Sequence, residues 1–419
     1  MTLPAPGFSV EAGSDLRDNG GTLTVTADLL RSPSPSMTVQ LLLRVLTLNI
    51  WGIPYSADYT QRTQALAATL AHSDYDVVCL QEVWNHADVE RLTRAARQCG
   101  LVHAQHFPSG VIGSGLLTLS RYPIIDTDFY RYRLGGTVET IWHGDYIAGK
   151  GVGLTRIQTP AGVVDVYNTH AIAQYHPDAM DTYRAHRAAQ LYEATRYIGA
   201  ETTTNPLIFC GDFNVRPDHL GYMVVRTLLG LDDVWAALRP DQPGQTSSYD
   251  NPYNHIRHAE RIDYIFTRGG QGCTLHPRQV EVTLRRIPGT HTPYSDHYGV
   301  LAHFDVRPAA VAPILPASAI ETTLQILAAT LRDGLATMDT RRQTNIARFL
   351  GGVGALVPAH LVAERLWPVL RPLPVGATLA YTITRGLLAY IFNLDERNAL
   401  RAVASEVDRR LQAVTIPEW

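Results

Sequence analysis

The chemistry of this chain starts at Pro206-Leu207-Ile208-Phe209-Cys210-Gly211-Asp212-Phe213-Asn214-Val215. The apolar run suits a strand buried on both faces. Gly211 lets the chain turn where a side chain would obstruct. Asp212 and Asn214 are two apart, so on extended chain they project from one side. Other apolar runs end with the same character: one in Asn49, one in Glu82, one in His170, while Asp263 and the pair Asp296-His297 flank two more. Taken singly, each is a common turn residue or a satisfied histidine. Carboxylate, amide and imidazole groups at one end of many strands form an active-site layout. A hard divalent cation wants oxygen ligands and keeps several waters. Glu82 is the expected primary ligand, with Asn49 and Asp296 in support. His297 is the expected base, its tautomer fixed by Asp263. Asp212 and Asn214 would orient water and a phosphate oxygen. His170 would donate a hydrogen bond to phosphate or protonate the leaving alkoxide.

The ordered set Leu48-Asn49-Ile50-Trp51-Gly52, Leu80-Gln81-Glu82-Val83-Trp84, Asn168-Thr169-His170, Gly211 to Asn214, Arg261 to Tyr264 and Ser295 to Gly299 resembles the endonuclease/exonuclease/phosphatase superfamily. Within it, His143 to Lys150 and Tyr183 to Arg187 are similar to neutral sphingomyelinases with a membrane-associated C-terminus. The likeness covers about residues 40 to 306 strongly. It implies a four-layer α/β sandwich, two packed mixed β-sheets flanked by helices, with a C-terminal all-helical region. It also implies Mg²⁺ or Mn²⁺ dependence and assigns Glu82, Asn49 and Asp296 to the metal. Finally, it suggests that Asp145 and Lys150 form a switchable pair beside the substrate phosphate; the plainer reading is an exposed Gly-rich turn. Gly149-Lys150-Gly151 lacks the Ser or Thr of a nucleotide-binding loop, so nucleotide binding is not expected.

Positioning these groups takes alternating strands and helices. Helices are predicted over 62 to 70, 88 to 99 (capped by Asp88) and 182 to 198, the last with Arg184, Arg187 and Arg196 on its outer face. Strands are predicted near 101 to 106, 115 to 120, 152 to 159, 163 to 169, 207 to 211, 262 to 267 and 299 to 306. Residues 1 to 38, rich in Gly, Ser, Pro and Thr, read as a flexible lead-in with one weak edge strand at 22 to 30. The catalytic domain is expected over 39 to 307, a Pro-rich linker over 308 to 318 and a helical membrane-associating region over 319 to 419.

The 419 residues carry a net charge of -3, so no global basic field recruits nucleic acid. Four cysteines show no paired metal spacing and no disulfide framework, which suits a reducing compartment. No signal peptide is expected. Trp51, Ile53, Pro54 and Tyr55 would rest on lipid or pack on their own domain. In the C-terminal region the likeness implies two spans. However, Arg348, His360, Glu364 and Arg365 interrupt the first apolar stretch and Arg385 the second, so the expected form is a hairpin docked on or dipping into the membrane, with a soluble helical cap as the alternative. Gly351, Gly352 and Gly354 would let its helices approach. The leading functional expectation is a phospholipase C-type sphingomyelinase at a membrane surface. The alternatives are a phosphodiesterase for inositol-phosphoryl sphingolipids or lyso-phospholipids, a nuclease of the same superfamily, and a non-catalytic lipid-binding module.

Overall fold

The computed structural model describes residues 41–201, 204–254, 259–271, 273–308, 317–366 and 368–415. The lead-in, the possible strand at 22 to 30 and most of the linker lie outside them. In chain order the strands are β1 (Leu41–Asn49), β2 (Val77–Gln81), β3 (His103–His106), β4 (Leu117–Ser120), β5 (Ile124–Arg131), β6 (Gly151–Thr159), β7 (Gly162–His170), β8 (Leu207–Asp212), β9 (Asp232–Asp233), β10 (Asp263–Arg268), β11 (Cys273–Thr283) and β12 (Gly299–Pro308). The helices are α1 (Tyr59–Ala71), α2 (His86–Ala96), α3 (Arg184–Ala200), α4 (Leu220–Leu229), α5 (Val234–Leu238), α6 (Ala317–Ala363), α7 (Pro372–Leu387) and α8 (Asn393–Thr415).

Two six-stranded sheets result, ordered β11-β12-β1-β2-β4-β3 and β5-β6-β7-β8-β10-β9. Each holds one parallel pair, β1 with β2 and β7 with β8. Alternation divides the side chains between layers. In β1, Leu43 and Val45 face the seam between the sheets; Leu46 and Leu48 face α1 and α2. In β8, Ile208 and Cys210 enter the seam, while Leu207 and Phe209 pack under α3 and α4. Across that apolar seam Gln81 Nε2 donates to Asn168 Oδ1 at 2.8 Å.

Several sequence expectations shift. Asn85, not Asp88, caps α2, its Oδ1 accepting from Ala87 N. Asp88 is buried and takes Arg91 at 2.7 Å instead. Pro308 ends β12 rather than opening a linker. Arg184 and Arg196 of α3 are exposed, but Arg187 is 3% exposed, because it turns under the segment before the helix, donating to Ala173 O at 3.2 Å and pairing with Asp181. On another side of α3, Ala185, Ala189 and Tyr192 pack against Leu324, Leu327 and Leu331 of α6 and Leu400 and Val403 of α8. The C-terminal helices thus add a further layer over α3 and α4.

That layer covers only part of the C-terminal region. The second half of α6 and all of α7 project with Leu350, Val357, Leu361, Leu373 and Ile383 exposed. Residues 318–363 and 368–414 are long and apolar enough to cross a membrane, by length and composition alone. Close approach within this hairpin occurs at Gly352, where a Cβ would sit 2.3 Å from Thr382 Oγ1; Gly351 and Gly354 face open space. Thr340, Thr344, Thr378, Thr382 and Thr384 each donate to the carbonyl four residues earlier.

Candidate active site

The four parallel strands end on one rim, and their last residues meet there. Asn49 closes β1, and Glu82 follows β2 with a left-handed φ of 60°. His170 and Asp212 are register partners at the ends of β7 and β8; Asp263, opening β10, is opposite Asp212 on its other side. His297 and Asp296 arrive just before β12. Asn214, at φ 52°, is likewise strained, as residues at functional sites often are. Gly211 has φ 139°, and a Cβ there would lie 2.0 Å from Thr169 O, so only glycine lets β8 run this close to β7.

Asp212 is the junction. Its Oδ2 accepts from Asn49 Nδ2 at 3.0 Å, lies 3.4 Å from His170 Nε2 and 3.9 Å from His297 Nε2, while its Oδ1 accepts from Asn214 N at 3.0 Å. Asn214 Nδ2 donates to Ala171 O at 3.0 Å. Burial pushes the Asp212 carboxyl up to about 7. His297 Nδ1 donates to Asp263 Oδ2 at 2.9 Å. Burial alone would lower this imidazole, but Asp263 and Asp212 outweigh it and raise it well above 6.5. His170 goes the other way: burial and the Lys150 charge hold it well below 6.5.

Asp145 and Lys150 are not on an exposed turn. They are 3% and 6% exposed and pair at 2.6 Å. Lys150 Nζ also donates to His170 Nε2 at 3.0 Å and Ala171 O at 3.1 Å, and Tyr175 OH donates to Asp145 Oδ2. Gly144, Gly149 and Lys150 do have the count of a nucleotide-binding loop. Strand β6 follows them instead of a helix, so no helix N-terminus faces a phosphate here.

Asp212, Asp263 and His297 offer ligand atoms within 4.8 Å of one another, a grouping that could hold a divalent cation. His297 Nδ1 is already given to Asp263, which makes this trio read as a hydrogen-bonded acid–base unit. Glu82 and Asp296 form the alternative oxygen-only set. Burial, then the Asp296 charge, raises Glu82; burial raises Asp296, opposed by His297, the Ser295 hydroxyl and Arg62. Asn49 Nδ2 donates to Glu82 Oε1 and Asp212 Oδ2, and its Oδ1 accepts from Trp51 N. As placed, its amide nitrogen steadies two carboxylates.

Arg62 was not anticipated as part of the site. It is 1% exposed and donates to the carbonyls of Ile50, Trp51 and Ala57 and to Ser56 Oγ, clamping the loop that leaves Asn49. Its signal was present: Arg62, Leu66 and Leu70 share one helical face, where a charge must be buried for a reason. Trp84 and Tyr175 were also missed. Trp84 Nε1 donates to Glu82 Oε2 at 3.4 Å. Both line a cavity of about 600 Å³ over the cluster, with Glu82, Lys150 and His170 in its wall.

The profile of the Endonuclease/Exonuclease/phosphatase family matches residues 46–297, from β1 to His297. This chain belongs to that family. Among its relatives, a Drosophila melanogaster protein provisionally named a neutral sphingomyelinase is 37% identical over 284 residues, 65% of this chain and 63% of that one. The match therefore spans just under two thirds of that relative's length. An inositol phosphosphingolipids phospholipase C of Schizosaccharomyces pombe is 32% identical over 288 residues, 62% of this chain and 67% of its own. Sphingomyelin phosphodiesterase 2 of Homo sapiens is 30% identical over 398 residues, 88% of this chain and 92% of its own. The last alignment runs into the C-terminal helices.

Proposed function

We propose that this protein is a divalent-cation-dependent, phospholipase C-type phosphodiesterase that hydrolyses sphingomyelin to ceramide and phosphocholine. The observation that carries this reading is the cavity over the cluster. Ile53, Pro54, Trp84, Ile112 and Trp142 line it, and Lys150 is its only Lys or Arg among the described residues. A cleft built for nucleic acid would carry basic residues along a phosphate track. An apolar cavity ending at acid–base groups suits a lipid phosphodiester.

Oxygen donors of this hardness fit Mg²⁺ or Mn²⁺, with Glu82 and Asp296 as the residues that would hold it. When bound, the cation would polarise a phosphoryl oxygen. The chain's own groups supply the rest. Asp263 fixes His297 Nδ1, which leaves Nε2 to take a proton from the attacking water. Asp263 and Asp212 then stabilise the imidazolium that forms. Asp212 and Asn214 orient the water, and Asn49 keeps Asp212 and Glu82 in place. His170 remains neutral, its Nε2 accepting from Lys150, and so aims the ammonium that Asp145 also holds, setting a positive charge at the site. The exposed hairpin of α6 and α7 would attach the enzyme to its substrate's membrane, docking on it or inserting partway.

Inositol-phosphoryl ceramide is the second reading, supported by the fission-yeast relative at 32% identity. Purified protein incubated with vesicles of either sphingolipid, with lyso-phosphatidylcholine and with plasmid DNA, each with Mg²⁺ or chelator, decides between them. The expected result is Mg²⁺-dependent release of phosphocholine from sphingomyelin. Cleavage of DNA alone, or no release from any lipid with Mg²⁺ present, overturns the reading.

A further inference from the structure

Four exposed apolar side chains, Ile53, Val111, Ile112 and Trp142, line the cavity, and two more, Tyr55 and Ile141, lie within two residues of them along the chain. Ile53 and Tyr55 lie on the loop after β1, Val111 and Ile112 on the loop before β4, and Ile141 and Trp142 on a short 3₁₀ turn at Val138–His143. Tyr55 is fully exposed, Val111 83% and Trp142 75%. Isolated surface hydrophobics are ordinary, but a cluster of them on three loops that line one cavity marks an interaction surface. Residues 50–57, 107–116 and 140–144 contain no Asp, Glu, Lys or Arg.

These loops are held by specific hydrogen bonds, so the display is built. Arg62 clamps the first through its bonds to Ile50 O, Trp51 O and Ala57 O. The second is bridged to the Lys150 loop by Val111 N donating to Ile147 O at 3.1 Å and Gly149 N donating to Gly113 O at 2.9 Å. Gly110 and Gly149 touch there so closely that a Cβ on either would meet backbone atoms at 2.6 Å or less. The third is fixed by Glu139, whose Oε1 accepts from Asn393 Nδ2 at 2.8 Å at the root of the C-terminal hairpin.

We propose that this apolar cluster is a second membrane-contact surface, distinct from the hairpin, that seats the cavity mouth on an electrically neutral lipid surface. It rests on the reading of the site as a lipid phosphodiesterase. Residues of the apolar cluster enter the headgroup region by apolar and aromatic burial, as interfacial Trp and Tyr do. The substrate's phosphate then rises from the bilayer into the cavity while its apolar part stays behind. Because the apolar cluster lacks basic residues, this contact is insensitive to salt and to anionic lipid, unlike a polybasic patch.

The test uses the full chain and vesicles of dibrominated phosphatidylcholine, whose bromines quench nearby tryptophan. The expected result is quenching of Trp142, read as the difference between wild type and Trp142→Phe, and equal at low and high salt. A second variant, Tyr55→Asp with Ile141→Asp, changes two positions of the apolar cluster that do not line the cavity. It should turn over a soluble short-chain phosphodiester like wild type and lose about tenfold on vesicles, since each tenfold corresponds to about 1.4 kcal/mol of contact. No Trp142-dependent quenching, quenching abolished by salt, or full vesicle turnover by the double variant overturns the proposal. Quenching by a protein that cleaves no sphingolipid would leave the apolar contact surface standing and remove the substrate reading alone.

Discussion

Replacing Lys150 by Met should separate two roles that one ammonium group performs. The change removes the partner of Asp145, a carboxylate 3% exposed and paired at 2.6 Å, and leaves it only Tyr175 OH among its side-chain hydrogen bonds. Breaking a buried ion pair from one side costs about 3–5 kcal/mol. In a domain of this size that lowers the melting temperature by roughly 6–20 °C, at about 2–4 °C for each kcal/mol. Asp145→Asn combined with Lys150→Met leaves no charge stranded and should recover most of the loss, with a coupling of up to about 3 kcal/mol. Turnover should not follow stability. Lys150 touches His170 Nε2 at 3.0 Å, so both the single and the double variant should lose on the order of 10²-fold or more. Denaturant unfolding and release of phosphocholine from a soluble ester, measured on the four proteins of the cycle, supply the two axes. A double variant that regained activity together with stability would make the pair purely structural and refute the reasoning.

Asp263→Asn should keep the fold and lower turnover by about 10²–10⁴-fold, because the amide no longer holds the His297 tautomer; a pH–rate profile unchanged from wild type would refute this. Gly211→Ala should destabilise by several kcal/mol, since its φ of 139° and the 2.0 Å approach to Thr169 O leave no relaxed position for a methyl group; equal denaturation midpoints would contradict it. Glu193, 4% exposed, is pushed up to about 7 by burial, with the half-exposed Arg133 guanidinium at 3.3 Å opposing. Between its ordinary value of 4.5 and about 7 the folded state binds the extra proton, so stability is largest below that window and falls as pH rises through it, by up to about 3 kcal/mol. Glu193→Gln should therefore match wild type near pH 4.5 and exceed it near pH 8, in thermal melts across that range.

The strand ends were legible because each central strand is apolar on both faces and then stops at a polar residue. Only a covered sheet with a site at its rim requires that pattern. The edge strands β5 and β11 were not read. Their outer positions face solvent, and Ile124–Arg131 and Cys273–Thr283 carry Asp126, Asp128, Pro277 and Gln279 where a central strand would be apolar. On the outer face of α3, Arg184 and Arg196 are exposed as expected, but Arg187 is not: the segment just before the helix folds over it, offering Ala173 O and the Asp181 carboxylate, and helical periodicity carries no signal for that. Nor could any local pattern show that Lys150 is enclosed, because its enclosure comes from β7 and from Tyr175. Arg62 is the case that could have been found, from a charge on an otherwise apolar helical stripe.

The order of strands in the first sheet has a consequence for how the molecule is made. The second sheet is built from one continuous stretch, β5 to β10, whereas the first begins with β1 to β4 and is completed by β11 and β12. Strand β12 does not add to an edge: it slots between β1 and β11, pairing Leu41 with Val306 and Thr47 with Val300. Asp296 and His297 immediately precede it. During synthesis Asn49, Glu82, His170 and Asp212 therefore emerge well before Asp296 and His297, and the strand-end cluster stays incomplete until β12 is made. The hairpin that follows leaves the ribosome later still. Translation direction alone thus delays assembly of the strand-end cluster until β12 is available, and α6 and α7 follow it.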